Sequence, residues 1–243
     1  MTTMDYNQIT LDERIRLEQR IQKNINMTFD ELLYETVLWM DKEAVREYFF
    51  KRAGRLSSFF EESGIQDEWE HIVSKHANEG ADIAAQVYEY AKKKNSVTDI
   101  LEYTQTERNV LNNLCDSQYL LVRNSSEGLI QNIRTSMVQD YAAGTHPTET
   151  SLRQTLTEGI NGWTPEQRAV VIARTETARI INDANLMQYM NDGVTMVEFL
   201  SSGDACDECS SLEGRQVPIQ EALDAPIVHP NCRCTWIPVI PNQ

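Results

Sequence analysis

Five residues near the C-terminus have the types and the spacing of metal ligands. The pattern is Cys206-x-x-Cys209, then 19 intervening residues, then His229-x-x-Cys232-x-Cys234. A Cys-x-x-Cys turn presents two thiolates toward one point, and a second close set beyond a loop can complete a tetrahedral zinc shell. The sequence therefore predicts a structural zinc site built from Cys206, Cys209, Cys232 and either His229 or Cys234.

Two other states of these thiols compete with zinc. Disulfides would form if the protein met an oxidising environment, and the thiols could also stay free and buried. A catalytic thiol is disfavoured, because no βαβ pattern surrounds Cys206 and Cys209 and no base is placed beside them. A zinc ion with four protein ligands also leaves no coordination position open for catalysis. Cys115 lies on a predicted helix far from this set, and we expect it to be a small buried apolar residue.

The elements that would position these residues are mostly helices. Apolar residues recur at three- and four-residue spacings along most of the first two thirds of the chain. We predict helices at about 28–60, 66–94, 104–143 and 165–191, and a short one near Thr148.

Local signals mark several helix ends. Thr28 and Glu31 fit a capping box at the start of the first helix, and Thr164 with Gln167 fits another. The run Lys92–Lys94 is predicted to be a solvated helix end that complements the helix dipole.

The composition changes after Gly193, which ends the last predicted helix. Residues 194–200 and 234–240 are rich in β-branched and aromatic side chains, so both stretches are predicted strands, and the stretch between them is rich in turns. The predicted fold class is therefore mainly α. An elongated N-terminal part with long helices is followed by a small α+β module with a β-hairpin and the Cys/His cluster.

Charge and hydropathy exclude some classes of partner. The formal net charge of −15 argues against strong attraction to nucleic acid or to an anionic membrane. No apolar stretch approaches the ~18–20 residues that span a bilayer, and the N-terminal sequence lacks the features of a secretory signal. We therefore expect a protein of the cytoplasm in which it is made, without membrane contact.

Four sequence blocks in a fixed order carry a family resemblance. The blocks are Ile172–Thr177, Gly193-Val194, Cys206–Gly214 and His229–Cys234. Together they resemble the phage head morphogenesis family, whose minor head proteins are typified by the F protein of phage Mu. The resemblance covers roughly residues 110–240. It favours a helical N-terminal region, 1–103, and a family-like domain, 104–243, that ends in a Cys/His module at about 194–240, here called the cysteine module.

The resemblance implies a structural component of the virion rather than an enzyme. Such a protein is assembled in the host cytoplasm, lies in the head interior or at the portal vertex, and acts in head assembly and in genome packaging or delivery. Its implied partners are the portal protein, the major capsid protein or both, with room for a multimer on the portal ring. The charge of −15 limits any contact with packaged DNA to a weak one.

The resemblance also gives structural roles to three charged residues and implies no catalytic ones. Arg174 and Glu176 are two positions apart on a helix, so they face different sides and need separate partners. Glu176 could pair with Arg179, whereas Arg174 could stay solvated, brace the cysteine module or meet a neighbouring subunit. Arg233 stands between two candidate ligands and could stabilise thiolate charge or contact an acidic partner.

Two other classes of function remain as alternatives. One is a zinc-bearing intracellular adaptor unrelated to viruses. The other is an enzyme, either a nuclease of the HNH kind or an ADP-ribosyltransferase. His229-Pro230-Asn231 lacks the second His or Asp that the nuclease needs, and Thr175-Glu176-Thr177 does not supply the Glu-x-Glu turn of the transferase. We therefore predict a protein without catalytic residues.

Overall fold

Long helices and a small C-terminal sheet make up the structure, a computed structural model that describes residues 9–42, 45, 60, 63–95, 103–143, 145, 148, 150–154 and 164–239. The long helices among these residues are α1 (Leu11–Met40), α2 (Ile65–Asn95), α3 (Gln105–Ala142) and α4 (Pro165–Asn191). The shorter elements are β1 (Met196–Leu200), α5 (Asp207–Ser210), β2 (Gln216–Pro218), α6 (Ile219–Asp224) and β3 (Thr235–Pro238). The predicted mainly α fold with a small C-terminal α+β region is confirmed.

The first helix begins earlier than the sequence pattern predicts. Thr10 and Glu13 form its capping box, in which the Thr10 N–H donates to Glu13 Oε2 (2.8 Å) and the Glu13 N–H donates to Thr10 Oγ1 (3.3 Å). The predicted cap at Thr28 is wrong, because Thr28 is buried inside α1 and donates its hydroxyl to the Asn24 carbonyl (2.8 Å). The predicted continuation of this helix to about Phe60 falls mainly outside the described residues.

The other three long helices agree with their predicted spans. The predicted capping box of α4 is present, with the Thr164 N–H donating to Gln167 Oε1 (2.8 Å) and the Gln167 N–H donating to Thr164 Oγ1 (3.2 Å). The same helix ends in a Schellman motif, in which Gly193 has a φ of 82° and the Val194 N–H donates to the Tyr189 carbonyl (3.0 Å). Glycine adopts this left-handed backbone conformation without a steric penalty.

The chain packs as two compact units, and each unit is assembled from separate segments. The first unit comprises residues 1–22, 81–118 and 170–243, and the second comprises residues 23–80 and 119–169. The division at residue 103 stays a prediction. Among the described helices, none has the length and the apolar character needed to cross a membrane.

The second unit buries polar side chains together with aromatic ones. Trp69 is fully buried, and its indole N–H donates to the Thr36 hydroxyl (3.0 Å). His76 is also fully buried, with Nε2 2.7 Å from a Glu31 carboxylate oxygen and Nδ1 3.0 Å from a Glu79 carboxylate oxygen. These contacts give the buried polar atoms hydrogen-bond partners in place of the water that burial removes.

The lysine run at the end of α2, in the first unit, is not simply solvated. Lys92 is only 3% exposed, and its ammonium lies 2.6 Å from Glu107 Oε1. Lys94 pairs with Glu13 at 2.6 Å, and Lys93 is exposed. The predicted solvated end therefore holds for Lys93 alone, because folding brings carboxylates of α1 and α3 to the other two lysines.

The small sheet of the cysteine module is antiparallel, with strand order β2-β1-β3. Phe199 on β1 pairs with Trp236 on β3, and Val197 on β1 pairs with Val217 on β2. The two predicted strands are confirmed, although the predicted extension to Ile240 lies outside the described residues. β2 was not predicted, since a strand of three residues is too short to show an alternating pattern.

The cysteine module has an apolar core that includes sulfur atoms. Leu186 and Tyr189 of α4 pack against the module from one side. The core members from the module itself are Val197, Phe199, Cys209, Val217, Ile219, Ala222, Cys232, Cys234 and Trp236. Three of the five candidate ligands, Cys209, Cys232 and Cys234, thus lie inside the packing that holds the sheet together.

Candidate metal centre

Strand pairing brings the two halves of the cysteine pattern together. β1 ends at Leu200, directly opposite Thr235, where β3 begins. The chain that leaves β1 and the chain that enters β3 are therefore neighbours. The first carries Cys206, which is the N-cap of α5, and Cys209, which lies within α5. The second is the segment 229–234, here called the ligand loop, which carries the other three candidates.

The donor atoms form two triangles that share the sulfur of Cys209. In the first, His229 Nε2 lies 3.2 Å from Cys206 Sγ and 3.0 Å from Cys209 Sγ. In the second, Cys209 Sγ lies 3.6 Å from Cys232 Sγ, and Cys234 Sγ is within 4.8 Å of both. Sulfur ligands about 2.3 Å from a tetrahedral zinc ion lie roughly 3.8 Å apart, whereas a disulfide bond measures about 2.05 Å. All five cysteines of the chain are free thiols, and the spacing is that of ligands rather than of a disulfide.

The imidazole of His229 is oriented as a metal ligand. Its Nδ1 lies 2.7 Å from the Pro230 carbonyl oxygen. A carbonyl can only accept, so Nδ1 carries a proton, and in the neutral imidazole Nε2 then has the lone pair and faces the two thiols. Ligand histidines in metalloproteins usually donate their second ring N–H to a carbonyl or carboxylate in this way.

The exposed and the buried thiols have pKa values shifted in opposite directions. The main-chain N–H of Cys209 lowers the pKa of the exposed Cys206 thiol. Burial raises the pKa of the Cys209 and Cys232 thiols above the usual range. A buried thiolate is unfavourable unless a cation compensates its charge. Sulfur and imidazole donors suit thiophilic ions such as zinc better than calcium or magnesium. These Cys/His groups can therefore hold a metal ion.

Cys234 takes part in two main-chain hydrogen bonds to sulfur. Its sulfur accepts the Ser202 N–H (3.4 Å), and its own main-chain N–H donates to Cys232 Sγ (3.4 Å). Hydrogen bonds of this kind orient ligand atoms and stabilise thiolate charge. Cys234 thus contributes to the centre through its main chain, whether or not its sulfur binds the ion.

Helix α4 holds the turn of the ligand loop. Asn231 has a φ of 67°, a left-handed conformation that Asn tolerates better than most residues. Its N–H donates to Thr175 Oγ1 (2.8 Å), and its Oδ1 accepts from Arg174 Nη1 (3.1 Å). Two of the blocks that carried the family resemblance are therefore in direct contact.

Asn182 of α4 forms hydrogen bonds to residues on both sides of the ligand loop. Its Nδ2 donates to the Pro226 carbonyl (2.8 Å) and the Cys234 carbonyl (3.1 Å), and its Oδ1 accepts the Thr235 hydroxyl (2.7 Å). Asn182 was not predicted as a site residue. The available signal was its position seven residues after Thr175, which places two small polar residues on one face of an otherwise apolar helix.

The charged residues singled out in the sequence separate into two groups. Arg174 Nη2 and Arg233 Nη1 both bind Asp204 Oδ2, at 2.9 and 3.1 Å, so the structure brings both arginines to the cysteine module. Glu176 lies apart from it, buried on α4 with its Oε2 3.5 Å from Arg179 Nη1. Asp204, which joins the two arginines, was not predicted.

A second acidic residue of α4 gives the fold a dependence on pH. Burial raises the pKa of Asp183 from 3.8 to about 7, with Arg179 opposing the shift and Glu176 adding to it. Between about pH 4 and pH 7 the folded chain holds a proton that the unfolded chain releases, so the stability falls as the pH rises through this interval. The loss is complete above the folded-state pKa.

Asp183→Asn is therefore expected to stabilise the protein at pH 8 by roughly 2–4 kcal/mol and to have little effect at pH 4. Urea denaturation at the two pH values measures the difference. Asp116→Asn changes the charge equally at an exposed position of α3 and serves as the control. The same pH dependence in wild type and Asp183→Asn would contradict the prediction.

The fold and the site together define a mainly helical protein whose small C-terminal sheet module bears a Cys/His cluster. Residues 131–237 match the family described as Phage Mu protein F like protein. This match bears out the resemblance drawn from the four sequence blocks, and over these residues the chain is similar to that family. A search of curated proteins and a search of solved structures found no match.

This similarity has coarse consequences for function. It indicates a phage head morphogenesis protein, and the proteins of this family are structural. It also indicates interaction with other capsid components and a place in the virion.

Proposed function

We propose that this chain is a minor head protein of a tailed virus. It lies in the head interior or at the portal vertex and acts in head assembly and in genome packaging or delivery. The observation that carries the proposal is the match over residues 131–237, which contains the whole Cys/His cluster and the helix that holds it. Its partner is the portal protein, the major capsid protein or both.

The composition of purified particles tests this proposal. We expect the chain in particles of the virus that encodes it, in far fewer copies than the major capsid protein, and chemically cross-linked to the portal protein. Absence from both mature particles and procapsids, while the chain is abundant in the infected cell, would contradict the proposal. That outcome is the one expected for an intracellular adaptor.

We further propose that the cysteine module binds a structural zinc ion through Cys206, Cys209, His229 and Cys232. The first donor triangle supplies Cys206, Cys209 and His229, whose Nε2 faces the two thiols, and the second triangle brings Cys232 to the shared sulfur of Cys209. The Cys234 N–H donates to Cys232 Sγ, which gives Cys234 a supporting role that does not require its sulfur as a ligand.

Serine substitutions distinguish the ligands from their neighbour. We expect about one zinc ion per wild-type chain by elemental analysis, as a tetrahedral structural site requires. Cys206→Ser is expected to lose the ion or to bind it at least about 10-fold more weakly, whereas Cys234→Ser keeps it. Competition with a chromogenic chelator measures both affinities. If Cys234→Ser loses zinc as strongly as Cys206→Ser, Cys234 belongs to the ligand set.

The contacts of His229 and Glu176 argue against the two enzymatic alternatives. His229 Nε2 faces two thiols and its Nδ1 is engaged with the Pro230 carbonyl, so neither nitrogen is free to act as the base of a nuclease. Glu176, which a transferase would need at an open surface, is buried beside Arg179. We therefore propose no catalytic residues.

A further inference from the structure

The first turns of α1 contact the main chain between two of the candidate ligands. Arg14 donates a hydrogen bond from Nη1 to the carbonyl oxygen of Arg233, the residue that separates Cys232 from Cys234. Arg14 is only 7% exposed. A buried guanidinium stays charged, so its position beside this carbonyl requires compensating negative charge nearby.

The side chain of Arg233 reaches back to the same helix. Its Nε lies 2.8 Å from Glu18 Oε1 and its Nη2 lies 2.6 Å from Glu18 Oε2, a two-point contact between planar groups. Glu18 is also buried, and the third nitrogen of Arg233 binds Asp204. Helix α1 and the ligand loop therefore exchange contacts in both directions, from Arg14 to the loop and from the loop to Glu18.

The charge of the proposed centre adds to the negative charge that surrounds Arg14. A zinc ion bound by three thiolates and one neutral imidazole has a single excess negative charge. The Arg14 guanidinium interacts electrostatically first with Glu18 and then with the thiols of Cys232 and Cys234. Negative charge at the centre thus stabilises buried Arg14, and Arg14 stabilises the charged form of the centre.

We propose that Arg14, with the Glu18–Arg233 pair, forms the outer shell of the metal centre, so that metal binding and the docking of residues 11–22 stabilise each other. This inference rests on the proposed zinc site and extends it to a segment outside residues 131–237, which match the family. Arg14 acts as a positioning residue, because it holds the loop and its charge rather than the ion. Coupling of this kind is reciprocal, so each process must strengthen the other.

Zinc affinity in Arg14 variants tests one direction of the coupling. Arg14→Met, which keeps the apolar stem but loses the charge and the donor, is expected to weaken zinc binding by about 10- to 100-fold in chelator competition. Arg14→Lys is expected to restore part of the affinity, since it keeps a cation and a donor. Arg215→Met is the matched control, because Arg215 pairs with Glu221 at an exposed position of the same module.

Hydrogen exchange in the wild-type chain tests the other direction without any substitution. Removal of zinc is expected to accelerate exchange of the amides in residues 11–22 by at least about 10-fold relative to residues 105–118 of α3. Equal protection of residues 11–22 with and without zinc would overturn the inference. So would an Arg14→Met chain that binds zinc as tightly as Arg215→Met.

These outcomes separate the inference from the proposal on which it rests. A wild-type chain that binds no metal overturns both together. Zinc binding that is indifferent to Arg14 overturns only the coupling and leaves the structural zinc site in place.

Discussion

Removal of zinc from the purified protein is expected to unfold the cysteine module while the second unit keeps its helices. In small zinc modules the metal supplies about 10 kcal/mol or more of folding free energy. The effect here is expected to be large because Cys209 and Cys232 belong to the apolar core beside Phe199 and Trp236, so loss of the ion disturbs the packing directly. Limited proteolysis of residues 201–234 before and after chelation measures the change, and far-UV circular dichroism follows the remaining helices.

Cysteine variants separate loss of the ion from a general effect of the chelator. Cys209→Ser removes the sulfur shared by both donor triangles and is expected to reproduce the protease sensitivity without any chelator. Cys115→Ser removes a free thiol from α3, outside the module, and should behave as wild type. The zinc hypothesis fails if the wild-type chain contains less than about half an equivalent of metal and Cys209→Ser melts as wild type does.

Glu107→Gln is expected to destabilise the protein by about 3–5 kcal/mol, the range measured when one partner of a buried ion pair is removed. The Glu107 side chain is fully buried, and its Oε1 lies 2.6 Å from Lys92 Nζ. Burial alone would raise the pKa of Glu107, but the hydrogen bonds from Lys92 and from the Thr104 main chain outweigh it and hold that pKa below its usual range. The Gln variant keeps the helix cap on Thr104 and removes only the charge that compensates the lysine. Urea denaturation at pH 7 measures the loss.

A double variant shows that the loss comes from an uncompensated charge. Lys92→Met with Glu107→Leu replaces both charges by apolar groups and is expected to recover a large part of the stability. Lys94→Met is the control, because Lys94 pairs with Glu13 at a solvent-accessible position of the same helix turn and should have a much smaller effect. If Glu107→Gln and Lys94→Met change the stability equally, the breaking of the buried pair costs no more than the breaking of the exposed one.

The helical part of the fold could be predicted wherever the signal was local. Three long helices and the Thr164 capping box follow from apolar spacing and from residues that are three positions apart. The start of α1 could not be decided locally, because Thr10-x-x-Glu13 and Thr28-x-x-Glu31 both fit a capping box. Burial of Thr28 against the second unit's core selects the first pattern, and burial is a tertiary property.

The candidate site also combines local features, which could be predicted, with contacts between distant residues, which could not. The cysteines and His229 could be recognised because ligand pairs lie within a few residues of each other in the sequence. Arg14 and its partner Arg233 are separated by 219 positions, and no local pattern joins them. The burial of Lys92 was also missed, since its neighbours in the sequence are lysines and the carboxylate that binds it lies on α3.

The contact between α1 and the ligand loop bears on how this protein can be cut into pieces for study. A fragment that begins at residue 131, where the family match begins, would start inside α3 and would lack Arg14, Leu17 and Glu18. Arg233 would then lose its two-point contact with Glu18 and keep only Asp204, and the surface that buries Leu17 would be uncovered. Fragments prepared for crystallography or binding work should therefore retain the N-terminal helix, and a shorter fragment that aggregates would say little about the whole chain.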